Sequence, residues 1–177
     1  MTIIRLKNQM KVTVQEATKE YAKQIIDFYN VVGGETDFLS FGKDEFKRTI
    51  EDYKDFIEST RLEQNSIILL AIHNDEIISI ATISSSQKVR VKHVGTLGIV
   101  ISEKFIGVGL GKEMMLQLIQ WASSNSITKK ISLVTREDNT VAIKLYEKLG
   151  FKEEGLLIKD NCINNVYYNS LIMALFI

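Results

Sequence analysis

One stretch restricts the possible folds more than any other: Ile99-Val100-Ile101-Ser102-Glu103-Lys104-Phe105-Ile106-Gly107-Val108-Gly109-Leu110-Gly111-Lys112. An apolar run rich in β-branched residues ends, and three glycines alternate with apolar residues. A helical pattern then starts, with Leu110, Met114, Leu118 and Ala122 recurring every four residues. This is a strand–loop–helix unit, and it needs a sheet to pack on. Glycines lack a Cβ, so an anion can approach the backbone closely. The first turn of the helix adds unpaired N–H groups and the positive end of its dipole. The loop from Phe105 to Lys112, with Lys112 contributing a positive charge, is therefore expected to hold the pyrophosphate of a nucleotide-bearing cofactor. A purely structural strand-to-helix turn would use the same glycines, so the loop alone leaves both readings open.

Spacing narrows the choice of cofactor. A Walker loop requires G-x-x-x-x-G-K-[ST], but Ile106 stands five residues before Gly111 and Glu113 follows Lys112. A dinucleotide fingerprint counted from Gly107 would need glycine where Lys112 stands, and it belongs in the first βα turn of its unit. A kinase glycine loop fails on the same spacing.

The rest of the chain reads as one domain, 1–177, without repeats, low-complexity tracts or a Gly/Ser linker. A strand is expected over 11–17. A helix follows over 18–31, with Tyr21, Ile25, Phe28 and Tyr29 at helical spacing, and Gly33 and Gly34 stop it. A second helix is expected over 43–60, with Phe46, Ile50, Tyr53 and Ile57 on one face. Ser66–His73 and Glu76–Ser84 form a hairpin about Asn74-Asp75. Val91–Ile101 is a third strand, 109–124 a helix, Lys130–Thr135 a strand, and 139–149 a helix closed by Gly150. Phe151–Ile158 and Val166–Phe176 close the chain as a strand pair. The order β-α-α-β-β-β-α-β-α-β-β implies an α/β (α+β) fold: a mixed, mostly antiparallel sheet of about seven strands with helices on both faces.

Lys plus Arg equals Asp plus Glu, 22 each, which gives no support to nucleic acid or an anionic membrane as a partner. The single cysteine, Cys162, excludes an internal disulfide framework and a multi-thiol metal site. It lies in the polar stretch Asp160–Asn165 and reads as a bystander. No metal site is expected. No apolar run approaches bilayer length and no signal-peptide pattern precedes the first strand, so the expectation is a cytoplasmic protein that does not enter membranes.

A second motif now matters. Residues 139–151, N-T-V-A-I-K-L-Y-E-K-L-G-F, together with Ile106–Gly111, resemble the coenzyme A segments of the GNAT N-acetyltransferase family, written N-x-x-A-x-x-L-Y-x-x-x-G-F and [Q/R]-x-x-G-x-[G/A]. The element order is that family's too, so the resemblance covers most of the chain. It departs at Ile106, where the family has Gln or Arg, and at Asn169, where an Asp often stands. The resemblance implies the acyl-CoA N-acyltransferase fold and acetyl-CoA (coenzyme A) as cofactor. The cofactor-binding residues would be Ile99, Val100, Ile101, Ile106, Gly107, Val108, Gly109, Leu110, Gly111, Lys112, Asn139 and Tyr146. It also implies acetyl transfer to a primary amine by direct attack in a ternary complex, the acceptor being a small-molecule amine or a peptide N-terminus. A homodimer is among the states the resemblance allows.

Chemistry suggests roles within that frame. Tyr146 is protonated at neutral pH, with a reference pKa of about 10, and can assist the departing thiolate. It also suits a core position beside Leu145 and Leu149. Asn139, about two turns earlier on the same helix, also suits the N-cap. The amine is mostly ammonium at pH 7, so a base is needed: His93, at the start of the strand leading to the glycine loop, and Glu35 are the candidates, with His73 a weaker one. An N–H near Val100 can polarise the thioester carbonyl. Glu35, Asp37, Phe38 and Phe41 form a candidate acceptor pocket, acids for a cation and aromatics for its stem. They equally suit a solvated loop with both phenylalanines tucked into the core. The alternatives are a coenzyme A-binding sensor or structural subunit without catalysis and, more weakly, a dinucleotide-binding domain.

Overall fold

The computed structural model describes residues 1–177 and contains eight strands and four α-helices. The strands are β1 (Thr2–Arg5), β2 (Lys11–Glu16), β3 (Ile67–His73), β4 (Glu76–Ser85), β5 (Val94–Ile101), β6 (Lys130–Arg136), β7 (Lys152–Ile163) and β8 (Val166–Phe176). The helices are α1 (Ala22–Val32), α2 (Ile50–Leu62), α3 (Leu110–Ser124) and α4 (Thr140–Lys148). They build one sheet in the order β1-β2-β3-β4-β5-β6-β8-β7, antiparallel at every junction except β5–β6.

The sheet is mixed with helices on both faces, as expected, but has one strand more. β1 pairs with β2 from Thr2↔Val14 to Arg5↔Lys11. Only Ile4 of its four residues is buried, so no apolar alternation announces it.

β3 shows why both faces are covered. Ile67, Leu69 and Ala71 join one core with Met114, Met115 and Leu118 of α3, while Ile68 and Leu70 join another with Ile25, Ile57 and Ile80. Successive side chains of a strand point to opposite faces, so a strand buried on both reads as a continuous apolar run. The β3–β4 hairpin turns on Asn74 and Asp75, both at positive φ, the geometry of a two-residue type I′ turn. Helix α3 puts Leu110, Met114, Leu118 and Ala122 at 0–1% exposure.

Several boundaries differ from those expected: β5 starts at Val94 rather than Val91, because Lys88–Val94 is wound into turns. The first helix begins with a 3₁₀ turn, Lys19–Tyr21, before α1. The second starts at Ile50 rather than 43. Asn30 of α1 captures the backbone of Phe46 on both sides, accepting from its N–H (3.0 Å) and donating to its carbonyl (3.4 Å), which holds that stretch out of a helix. Thr49 then caps α2 by accepting from the Asp52 N–H at 3.1 Å. Finally, β7 runs on to Ile163, so Cys162 lies in the strand opposite Tyr167 and the turn is only Asn164-Asn165.

Candidate active site

The parallel pairing of β5 and β6 covers three residue pairs, Val94↔Lys130, Gly95↔Ile131 and Thr96↔Ser132, and then stops. β5 stays bonded to β4 as far as Ile101, and β6 stays bonded to β8 as far as Arg136. Each strand is held on its outer side only, so the two diverge and leave a cleft with backbone on both walls. On the β5 wall, Ser102 donates its N–H to the Ile78 carbonyl at 3.1 Å, which sets the phase of the ladder. Bonded pairs alternate along antiparallel strands. Val100 therefore pairs its N–H with Ile80, and the backbone groups of Ile99 and Ile101 face the cleft. Ser79, fully buried, donates its hydroxyl to the Val100 carbonyl at 2.8 Å and braces this wall.

The glycine loop lies at the end of β5. Gly107 (φ 82°) and Gly109 (φ 94°) are left-handed, a conformation that other L-residues avoid. A Cβ on Gly107 would meet nothing within 4 Å, so the loop is open above that residue. Gly109 is the N-cap of α3 and offers no side-chain oxygen, so the first-turn N–H groups have no capping acceptor. Gly111 is different: a Cβ there would stand 3.0 Å from Ile101 Cδ1, so this glycine lets α3 pack against β5. Ile106 is 57% exposed and brings no donor. Lys112 is exposed on the first turn of α3.

Helix α4 follows β6 on the other wall. Asn139 is its N-cap, accepting from the Ala142 N–H at 3.4 Å. The helix ends in a Schellman arrangement: Phe151 N–H reaches the Tyr146 carbonyl and Gly150 N–H the Glu147 carbonyl, each at 3.0 Å, with Gly150 at φ 93°. This closure seats Phe151 against Tyr146, ring centroids 5.9 Å apart. Tyr146 is 7% exposed, and burial pushes its phenol up to about 12. No sealed-off side-chain oxygen or nitrogen lacks a partner, so the Tyr146 hydroxyl, which has none, keeps an opening at the end of a buried ring.

The segment after α1 reaches both walls. Glu35 accepts from the Glu103 N–H (2.8 Å) and from the Ser102 hydroxyl (3.3 Å), just past β5. Asp37 gives its carbonyl to Arg136 Nη1 at 2.9 Å, at the end of β6. Arg136 is 7% exposed, forks onto Asp138 through Nε (2.9 Å) and Nη2 (2.5 Å), and lies between the rings of Tyr168 and Phe38, 3.8 and 4.7 Å from their centroids. This donation holds the Asp138 carboxyl below the usual carboxylate range. Gly33 permits the loop's return: a Cβ there would collide with the Gly42 carbonyl at 2.4 Å.

The loop, Asn139, Tyr146, Glu35, Asp37 and Phe38 thus gather around the cleft, but not every candidate does. His93 precedes β5, exposed, at the end where β5 and β6 are still paired. It lies six residues before Ile99, about 20 Å at strand rise, away from the part of β5 that faces the cleft. Phe41 turns into an aromatic cluster, 5.7 Å from Tyr29 and 5.8 Å from Phe46, and fills the helix pair instead of lining a pocket. His73, at the end of β3, faces the Lys11 carbonyl through Nδ1 at 2.9 Å, and its ring lies 6.4 Å from that of Phe105 at the start of the glycine loop. Cys162 is exposed on β7. Nothing local in R-E-D-N, which ends in the N-cap of α4, marks Arg136, because its partners Asp37, Phe38 and Tyr168 are distant in sequence.

A splayed parallel strand pair, a capless glycine loop on one wall and a tyrosine-bearing helix on the other define a protein built to grip an extended, anion-bearing acyl carrier. Comparison with known proteins agrees. Residues 35–151 match the model of the acetyltransferase (GNAT) family, so the chain belongs to that family of N-acetyltransferases. The crystal structure of a GNAT-family acetyltransferase from Streptococcus pneumoniae superposes with a TM-score of 0.91 at 32% identity, over 94% of this chain and 99% of that one. The L-amino acid N-acetyltransferase of Escherichia coli is 29% identical over 106 residues, 60% of this chain but only 65% of its own length. A Salmonella typhimurium structure holding acetyl-CoA shares the fold, with a TM-score of 0.80 at 16% identity over 93% of each chain. No helix of the chain is long and apolar enough to cross a membrane.

Proposed function

We propose that the chain is an acetyl-CoA-dependent N-acetyltransferase that moves an acetyl group to a primary amine by direct attack in a ternary complex. The observation that carries this is the divergence of β5 from β6 beyond Thr96 and Ser132, with the glycine loop following one strand and the helix that bears Tyr146 following the other. The donor set fits the cofactor. Left-handed glycines and uncapped N–H groups suit a pyrophosphate, and a free strand edge suits an amide-bearing arm. Bound acetyl-CoA supplies an acetyl group already activated as a thioester.

The residues then divide the work. The N–H groups of Ile99 and Ile101 stand where a carbonyl oxygen gaining charge needs donors, a role the sequence had centred on Val100. Tyr146 gives its proton, or a hydrogen bond, to the sulfur as thiolate charge develops. Its pKa of about 12 keeps it a donor throughout the working range. Asn139 presents the cofactor side of α4. Phe38 and the exposed Asp37 border the place where the amine enters. Glu35 spends its carboxylate on Ser102 and Glu103, so the amine's proton leaves through water rather than through His93.

Purified protein should release free thiol from acetyl-CoA when a suitable amine is added. A panel of amino acids, polyamines and peptides that all fail, despite measurable coenzyme A binding, would remove the catalytic reading. The non-catalytic alternative draws on one observation, that the Glu35 carboxylate is already engaged by the Ser102 hydroxyl and the Glu103 N–H. Tyr146→Phe separates the two: a catalyst loses rate and keeps affinity, and a binder changes in neither.

A further inference from the structure

The glycine loop has an anomaly that the proposed function does not resolve. Ile106 exposes an apolar side chain where the loop would be expected to contribute a donor, so the backbone N–H groups and Lys112 would face two phosphate charges without a side-chain donor from the leading position of the loop. The structure brings a cation to the same place from the opposite end of the chain. The β1–β2 turn, Leu6–Met10, lies against the loop, and the Lys7 N–H donates to the Val108 carbonyl at 3.3 Å. The Lys7 stem is laid along Gly109: its Cγ, Cε and Cδ lie 3.5, 3.6 and 3.7 Å from where a Cβ on that glycine would be.

The turn is held firmly enough to aim this side chain. Leu6 is buried, its N–H donates to the Met10 carbonyl at 2.9 Å, and Gln9 N–H donates to the Leu6 carbonyl at 2.9 Å. Lys7 itself is exposed and belongs to none of the ion pairs in the molecule, so its ammonium is not committed to a protein carboxylate. The stem rests on the N-cap glycine of α3, and its flexibility leaves the ammonium within reach of the first-turn N–H groups. This also gives β1 a purpose: a short strand, buried at one residue, pins the turn beside a loop one hundred residues further on.

We propose that Lys7 binds the pyrophosphate of the cofactor and supplies the side-chain charge that Ile106 does not. The proposal rests on the acetyl-CoA reading of the cleft. Its test is calorimetric titration of the full chain with coenzyme A, 3′-dephospho-coenzyme A and pantetheine. Replacing Lys7 by Met removes one charge-assisted hydrogen bond and should weaken both phosphate-bearing ligands about tenfold. Lys7→Arg should stay near the parent. Pantetheine should bind the parent and Lys7→Met alike, and the salt dependence of coenzyme A binding should flatten in Lys7→Met. Adding Ile106→Arg to Lys7→Met should restore affinity, a rescue that a folding defect would not show. Equal coenzyme A affinity in parent and Lys7→Met overturns the inference and leaves the cleft's function standing. Loss with coenzyme A but not with the dephospho form overturns it too, because Lys7 would then serve the 3′-phosphate. If the parent binds no coenzyme A, the reading of the cleft itself fails.

Discussion

Tyr146 shows how one residue serves fold and chemistry together. Its ring is core, packed on Phe151, and its hydroxyl is the part left free. Tyr146→Phe keeps the packing and removes only the donor. It should lower kcat by about 10²-fold or more while leaving coenzyme A affinity unchanged, as read by steady-state kinetics beside calorimetry. The raised pKa makes a second prediction. Because the folded pKa, about 12, exceeds the unfolded value near 10, the neutral phenol's contribution to stability is complete below about pH 10 and is lost as pH rises toward 12. Alkaline unfolding followed by circular dichroism should therefore be milder in Tyr146→Phe than in the parent. The sequence could place Tyr146 on the helix face but could not separate core from catalytic roles, since helical spacing is the same for both. Phe38 and Phe41, three residues apart, were equally alike on paper. The structure sends Phe41 to Tyr29 and Phe46, and stacks Phe38, 45% exposed, over Arg136.

Elements were legible where periodicity or a cap announced them, and less so where a distant side chain decided. The apolar spacing of α3, the Asn74-Asp75 turn and the Gly150 closure of α4 all follow from local rules. The start of α2 does not, because Asn30 intervenes from α1. Two predictions belong at this scale. Gly109→Ala forces a side chain into left-handed backbone and should cost about 1–2 kcal/mol in denaturant-measured stability, with weaker coenzyme A binding besides. Arg136→Met should free the segment carrying Asp37 and Phe38 from β6, raising KM for the amine several-fold while coenzyme A affinity holds. If coenzyme A affinity falls as much as amine affinity does, Arg136 positions α4 rather than the acceptor segment.

Across the whole molecule, the layout of the site is a consequence of one topological fact. A single parallel junction in an otherwise antiparallel sheet lets β5 and β6 part, because each is held by an antiparallel neighbour on its outer side. Element order made the mixed sheet readable, and the two motifs marked both walls. What could not be read was long-range. β1 has too little apolar pattern to announce itself, and the turn it fixes meets the glycine loop a hundred residues away. The central claim is that this cleft takes the acyl carrier. Amide hydrogen exchange with and without coenzyme A tests it most directly. Protection should appear at Ile99, Ile101 and Gly107–Lys112 and at the start of α4, with none at His93. Protection gathered elsewhere, with these amides unchanged, would contradict the account.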